Sequence, residues 1–204
     1  MLVYLLQGLT LGISGAVMPG PLQAFLLAQT LRQGWKRTIP AAMAPLISDG
    51  PIILLVLLVL TRLPNSFLVG LRLVGGAFLL YLAWDAYQAC RTAAEQTNEP
   101  SPSLVSASVW KAVLTNFLNP NPYIFWSILA GPILLSGWQE SAWNGVGFIL
   151  GMYGALVGGL ALFVYLFGTA TQQSWRLRQT LTLVSAVALL GFGLFQFWWV
   201  LSRL

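Results

Sequence analysis

Long apolar stretches alternate with short polar ones along this chain. They resolve into six apolar segments, at about 2–31, 39–60, 67–89, 110–135, 142–168 and 180–202. A helix needs about 20 residues to cross the hydrocarbon core of a bilayer, and each segment reaches that length. The pattern therefore predicts an all-α membrane protein with six transmembrane helices. The first segment is too long for one straight crossing, and Pro19-Gly20-Pro21 sits in its middle. A second tripeptide, Pro120-Asn121-Pro122, lies inside the fourth segment, 101 positions further on. Proline lacks an N–H and clashes with the carbonyl four residues back, so each tripeptide is expected to split its helix into two half-helices.

One stretch reads as a linker. Residues 91–108 are rich in Ser, Thr, Pro and Ala, carry Arg91, Glu95 and Glu99, and predict a solvated loop. They divide the chain into a first three-helix unit over 1–90 and a second over 109–204. Three crossings is an odd number, so the second unit enters the membrane from the opposite side. Two similar units then form inverted repeats with broken first and fourth helices, an arrangement in which matching breaks mark the binding site of a secondary transporter.

Composition agrees with the pattern. The chain is 57% hydrophobic and 7% charged, against roughly 25% charged in soluble domains. Ten Lys and Arg stand against five Asp and Glu. These cations fall at segment ends, where they follow the positive-inside rule, and nucleic-acid binding is excluded. Arg32, Lys36, Arg37, Arg91, Lys111, Arg176 and Arg178 lie in the odd-numbered loops and Arg62, Arg72 and Arg203 on the other side. That count puts the odd loops in the cytoplasm and both termini outside. Trp138, Trp143, Trp175, Trp198 and Trp199 sit where interfacial anchors are expected. The N-terminal stretch has no Lys or Arg before Arg32 and no clear cleavage site, so it reads as a retained span.

The inventory of reactive side chains is short. A single cysteine, Cys90, excludes an intramolecular disulfide and a dithiol couple, and there is no histidine. Zinc, haem and His-based acid–base chemistry go with them, so no metal or cofactor is expected. Ser48 adjoins Asp49, but neighbours in sequence point to different sides of a helix, so no nucleophile–base pair of an enzyme is read there.

The breaks themselves carry chemistry. Pro19 and Pro21 release the carbonyls of Gly15 and Val17; Pro120 and Pro122 release those of Asn116 and Leu118. Unpaired peptide groups cost several kcal/mol in hydrocarbon and persist only against protein or a wet cavity. The helices restarting at Pro21 and Pro122 would aim N–H groups and a positive dipole end at that cavity, a seat for a carboxylate. Asn116, Asn119 and Asn121 surround the second break and could satisfy freed carbonyls or contact a solute. Asp49 lies near the middle of the second segment between Pro45 and Pro51. A carboxylate there costs about 2.5–3.5 kcal/mol on insertion scales, so it is read as functional. It could hold a substrate ammonium or carry a coupling proton; partnership with proline-freed groups or with an Arg is the alternative. Asp85 suggests interfacial capping or ion pairing, while Arg72 and Lys111 are expected to snorkel to the interface. Gly8/Gly12, Gly147/Gly151 and Gly154/Gly158 have the small-xxx-small spacing of close helix contacts.

The small-residue-rich first span, Pro19-Gly20-Pro21, the basic first loop, Asp49 in the second span and Leu118-Asn119-Pro120 opening the fourth resemble the lysine exporter (LysE/RhtB) family of bacterial amino-acid effluxers. The likeness covers essentially the whole chain. It implies a multi-pass exporter of the cytoplasmic membrane for amino acids or similar metabolites, driven by the proton gradient and dimeric. The family pattern carries over to Pro19, Gly20, Pro21, Asp49, Asn119 and Pro120. Two positions depart from it: Leu22 replaces a polar residue after Pro-Gly-Pro, and Asn121, followed by Pro122, replaces a lysine after Asn-Pro.

The expectation is a secondary transporter exporting a small zwitterion, with Pro19, Gly20, Pro21, Asp49, Asn116, Asn119, Pro120, Asn121 and Pro122 as substrate site and Asp49 as the proton-coupling group. A divalent-cation exporter would want several carboxylates or imidazoles, and two dispersed aspartates supply too few. A thiol–disulfide electron carrier needs a second cysteine. A non-transporting membrane scaffold is the remaining alternative.

Overall fold

The structure, a computed structural model, describes residues 1–59, 65–92, 102–171 and 174–202. Arg62, Arg203, Glu95 and Glu99 lie outside it, as do the side chains of Cys90 and Arg91. Among the described residues all regular structure is helical. Helix α1 (Leu2–Val17) is followed by α2 (Pro21–Gln33). A short α3 (Trp35–Thr38) runs through a 3₁₀ turn (Ile39–Met43) into α4 (Ala44–Val59), and α5 (Asn65–Thr92) follows. Next come α6 (Pro102–Phe117), α7 (Pro120–Phe125), a π-helical turn (Trp126–Ala130) and α8 (Gly131–Glu140). The chain ends in α9 (Ala142–Ala170) and α10 (Trp175–Leu201).

This is an all-α membrane protein. Among the described residues four stretches are long and apolar enough to cross a bilayer, Trp35–Leu57, Ser66–Ala89, Ala142–Ala170 and Trp175–Leu201, and α1 with α2 makes a fifth bent by 60°. The fourth segment read from the sequence, at about 110–135, differs. It is divided among α6, α7, the π turn and α8, which runs on to Glu140, and no one of these is long enough alone. The linker is also shorter than expected, because α6 begins at Pro102. Proline at the first helical position has the right φ and forfeits only an N–H that has no helical partner there.

Between helices in lipid there is no hydrophobic driving force, so association rests on close van der Waals packing and hydrogen bonds. The α1/α9 pair follows that rule. A Cβ built on Gly8 would fall on the Phe148 carbonyl, and one built on Gly151 would fall on the Leu5 carbonyl. Each glycine thus admits the opposite backbone. Gly154 and Gly158, further along α9, meet nothing. Their spacing does not mark a helix contact within this chain, and it faces a groove instead.

Helix α2 is the central element, buried from Pro21 to Leu31 except at Gln23. Its Phe25 and Leu26 pack with Leu82 of α5, Ala112 of α6, Leu160 of α9 and Leu189 of α10. A second cluster joins Ile52, Tyr123, Trp126, Phe148 and Met152. Gly34, at φ 85°, lets the chain turn sharply from α2 into α3.

The basic ends collect on one face. The Arg178 Nε–H donates to the Leu31 carbonyl at 2.7 Å. Asp85 accepts from Arg32 at 3.0 Å and from Lys111 at 3.1 Å. Ion pairing of Asp85 was the sequence expectation. Arg72 is a correction. It is buried, accepted by Gln196 Oε1 at 2.8 Å, and its guanidinium lies 3.9 Å from the Trp199 ring centroid. The neighbouring helix supplies an acceptor and a π face, so the side chain does not reach out to an interface. Trp138, Trp143, Trp175 and Trp198 are exposed, as anchors would be.

Candidate functional site

Both proline tripeptides break their helices. Helix α1 stops at Val17 and α2 starts at Pro21; α6 stops at Phe117 and α7 starts at Pro120. Extended backbone at Met18, Gly20 and Asn119 separates the halves. The ruptured hydrogen bonds find local replacements. At the first break the Gln23 Nε2 amide donates to the Gly15 carbonyl at 3.1 Å and the Ala16 carbonyl at 3.4 Å. Proline geometry pointed to Gly15 and Val17; the side-chain splint actually spans Gly15 and Ala16. At the second, the Tyr123 hydroxyl donates to the Phe117 carbonyl at 3.0 Å, and Asn119 Oδ1 accepts from the Asn121 N–H at 3.1 Å. The Asn116 carbonyl, expected to be left free, accepts from the Asn119 N–H at 3.2 Å. Gly75 of α5 lies against the Leu118 carbonyl, so this irregular backbone is covered by protein. That is the condition under which non-helical backbone survives at membrane depth.

The two breaks meet. A cavity of about 170 Å³ is lined by Pro19, Gly20 and Pro21 from the first break, by Asn116, Asn119, Asn121 and Pro122 from the second, and by Asp49 of α4. Of the nine residues assigned to the site from sequence, only Pro120 is off its wall; it is buried as the first residue of α7. About 150 Å³ suffices for a benzene-sized guest. The cavity is therefore of a size for a guest of a few non-hydrogen atoms.

Asp49 is 4% exposed. Its Oδ1 accepts from Asn116 Nδ2 at 2.7 Å and its Oδ2 from the Tyr153 hydroxyl at 3.0 Å. The same Asn116 nitrogen donates to Ser48 Oγ at 2.7 Å. Ser48 and Asp49 are thus held together by one amide, whereas helical spacing alone had set them apart. Ser48 in turn donates to the Ala44 carbonyl, so its proton is committed. All the partners of Asp49 are neutral, and the ion pairs among the described residues are at Asp85, not here. The arginine partner considered from sequence is absent among them. What faces the cavity is one carboxylate within a ring of amide and hydroxyl groups.

The break at α2 supplies the opposite character. Pro21 has no N–H, and the Leu22 and Gln23 amides belong to the first turn, where an α-helix provides no acceptor. The dipole of this 13-residue helix adds partial positive charge at the same place. The second break does not mirror it. Pro120 and Pro122 lack N–H groups and the Asn121 N–H is used by Asn119, so α7 offers side-chain amides rather than a backbone seat.

Sequence reasoning missed Gln23, Tyr123, Trp126 and Tyr153. Gln23 follows the departing Leu22, and a polar residue two places after Pro-Gly-Pro was the available signal. Tyr153 lies on α9 amid apolar and glycine neighbours, with nothing local to link it to Asp49. Trp126 is 1% exposed on the cavity wall and opens the π turn; such irregular turns recur at functional sites. Pro19, Gly20 and Gln23 also border a second, larger space, an apolar groove of about 700 Å³ between α1, α2, α9 and α10.

Broken membrane helices whose ends meet at a pocket holding a buried carboxylate are the architecture of membrane transporters. The LysE type translocator family profile matches residues 13–197, and the chain belongs to that family. Neither the curated proteins nor the solved structures held a significant match. As a member of a translocator family it is a membrane transporter.

Proposed function

We propose that this chain is a secondary exporter of amino acids or similar small zwitterions across the cytoplasmic membrane, coupled to the proton gradient. The observation that carries the proposal is the convergence of both helix breaks and Asp49 on one small cavity. The Leu22 and Gln23 amides at the start of α2 receive the substrate carboxylate. Asp49 receives its ammonium and exchanges it for a proton. Asn116, Asn119 and Asn121 supply the remaining donors and acceptors. A divalent cation would want more than one carboxylate, and Asp49 is surrounded by neutral groups.

The two three-helix units, over 1–90 and 109–204, move against each other as inverted repeats, with the basic face in the cytoplasm and both termini outside. A homodimer is the working assembly. Proteoliposomes loaded with amino acids, with and without a pH gradient, test the reading. The parent should move solute faster with the gradient, and Asp49→Asn should lose that acceleration. Gradient-driven flux unchanged in Asp49→Asn would remove Asp49 from the mechanism; no flux of any amino acid by the parent would remove the function.

A further inference from the structure

The ion cluster at Asp85 is not used by the substrate site, yet it stands above it. Helix α2 runs from Pro21 on the cavity wall to Arg32, a rise of about 16 Å at 1.5 Å per residue. Helix α6 reaches the cavity at Asn116, and Lys111 lies about 8 Å back along it. Between the cavity and these cations is a dry layer of Phe25, Leu26, Leu82 and Ala112, each 2% exposed or less. Above the layer, Arg32 Nη1 donates to both Asp85 carboxylate oxygens at 3.0 Å and Lys111 Nζ donates to Oδ2 at 3.1 Å. A neutral chain runs alongside: Gln33 Nε2 donates to Ser108 Oγ at 3.1 Å, and Ser108 Oγ donates to Gln29 Oε1 at 3.1 Å.

We propose that Asp85, Arg32 and Lys111 form the clasp of a gate that closes the basic face of the substrate cavity and must open for solute to enter from that side. The proposal rests on the transport reading above. Three features argue for a gate over a static brace. Arg32 and Asp85 belong to the first three-helix unit and Lys111 to the second, so the clasp spans the seam along which the units would part. Its side chains are 24–42% exposed, so water replaces their partners when it opens, and the contact is weak enough to be reversible. The cluster also carries two cations on one carboxylate. Without the Asp85 charge, Arg32 and Lys111 would face each other as like charges and push α2 from α6.

The test is accessibility from one face. In a chain whose native Cys90 is replaced by serine, Ala112→Cys places a reporter thiol in the dry layer under the clasp. A membrane-impermeant thiosulfonate is applied to vesicles of either orientation. With Asp85 intact, and in Asp85→Glu, labelling from the basic face is slow. In Asp85→Asn it accelerates about tenfold, equivalent to about 1.4 kcal/mol in the opening equilibrium, from that face only. Equal rates in Asp85→Asn and Asp85→Glu overturn the gate, as does acceleration from both faces, which reports general loosening. The reading needs no substrate, so a parent that moves no amino acid defeats the transport function separately, without deciding the clasp.

Discussion

The amide of Gln23 makes the most direct claim open to measurement, that a side chain replaces the hydrogen bond that Pro19 removes from the Gly15 carbonyl. Gln23→Met keeps the length and volume of the side chain and deletes the donor. The Gly15 carbonyl then loses a bond of 3.1 Å, while the Ala16 contact, at 3.4 Å, is long and weak. Gly15 is exposed, so the bond carries the ordinary net worth of a hydrogen bond, about 0.5–1.5 kcal/mol. Methionine suits its neighbours, since Ala24, Leu27 and Phe163 share the adjoining apolar groove. The loss therefore reports the hydrogen bond and not a packing defect. For a chain of this size each kcal/mol shifts the melting temperature by about 2–4 °C, so Gln23→Met should melt about 1–6 °C below the parent in the same detergent. A melting temperature no lower than the parent's would refute the splint, because no other change in the variant offsets the lost bond.

Other consequences can be checked alongside. Asp49→Asn should preserve folding, since Asn116 can still donate to the amide oxygen and the Tyr153 hydroxyl can turn to accept from the new NH2, while proteoliposome flux loses its response to a pH gradient. Tyr153→Phe removes one donor from Asp49, a loss of about 1–3 kcal/mol where the acceptor is charged, and should weaken amino-acid binding by roughly tenfold in a ligand-induced thermal-shift titration. Gly151→Leu forces a side chain onto the Leu5 carbonyl and should prevent recovery of monodisperse protein, whereas Gly158→Ala, which meets open space, should melt like the parent.

What could be read in advance follows from which forces are local. Helix breaking by Pro19, Pro21, Pro120 and Pro122 is covalent and steric, so both ruptures were foreseeable to within a residue or two. Asp49 stood out because a charge in an apolar run has no cheap explanation. Their convergence on one cavity depends on tertiary packing, and the repeat pattern only suggested it. The partners of the carboxylate were less accessible still. Tyr153 is 104 positions away, on a helix whose glycines drew the eye to packing. Those glycines also show why spacing is ambiguous: Gly147/Gly151 and Gly154/Gly158 are the same signal, yet Gly151 receives a backbone and Gly158 faces an open groove. The Pro102 start of α6 was obscured by Ser and Pro in its first turn, where these residues are tolerated as well as in loops.

The two breaks are alike in sequence and unlike in chemistry, and that difference suits a zwitterion. At the first break the prolines are followed by Leu22 and Gln23, whose backbone N–H groups begin a 13-residue helix buried in the centre of the bundle. A helix of that length in a low-dielectric setting favours an anion at its N-terminus. At the second break two prolines and the Asn119–Asn121 turn use up the early N–H groups, and α7 passes within a few residues into a π turn. What remains there is neutral amide, and across from it the carboxylate of Asp49. The cavity wall therefore runs from positive backbone to negative side chain. A lysine in place of Asn121, as the family pattern has it, would put a cation on the Asp49 side and weaken that gradient. Asn121 instead leaves Asp49 as the ionisable side chain on the cavity wall, so in the proposed mechanism both the recognition of an ammonium and the handling of a proton would fall to one group.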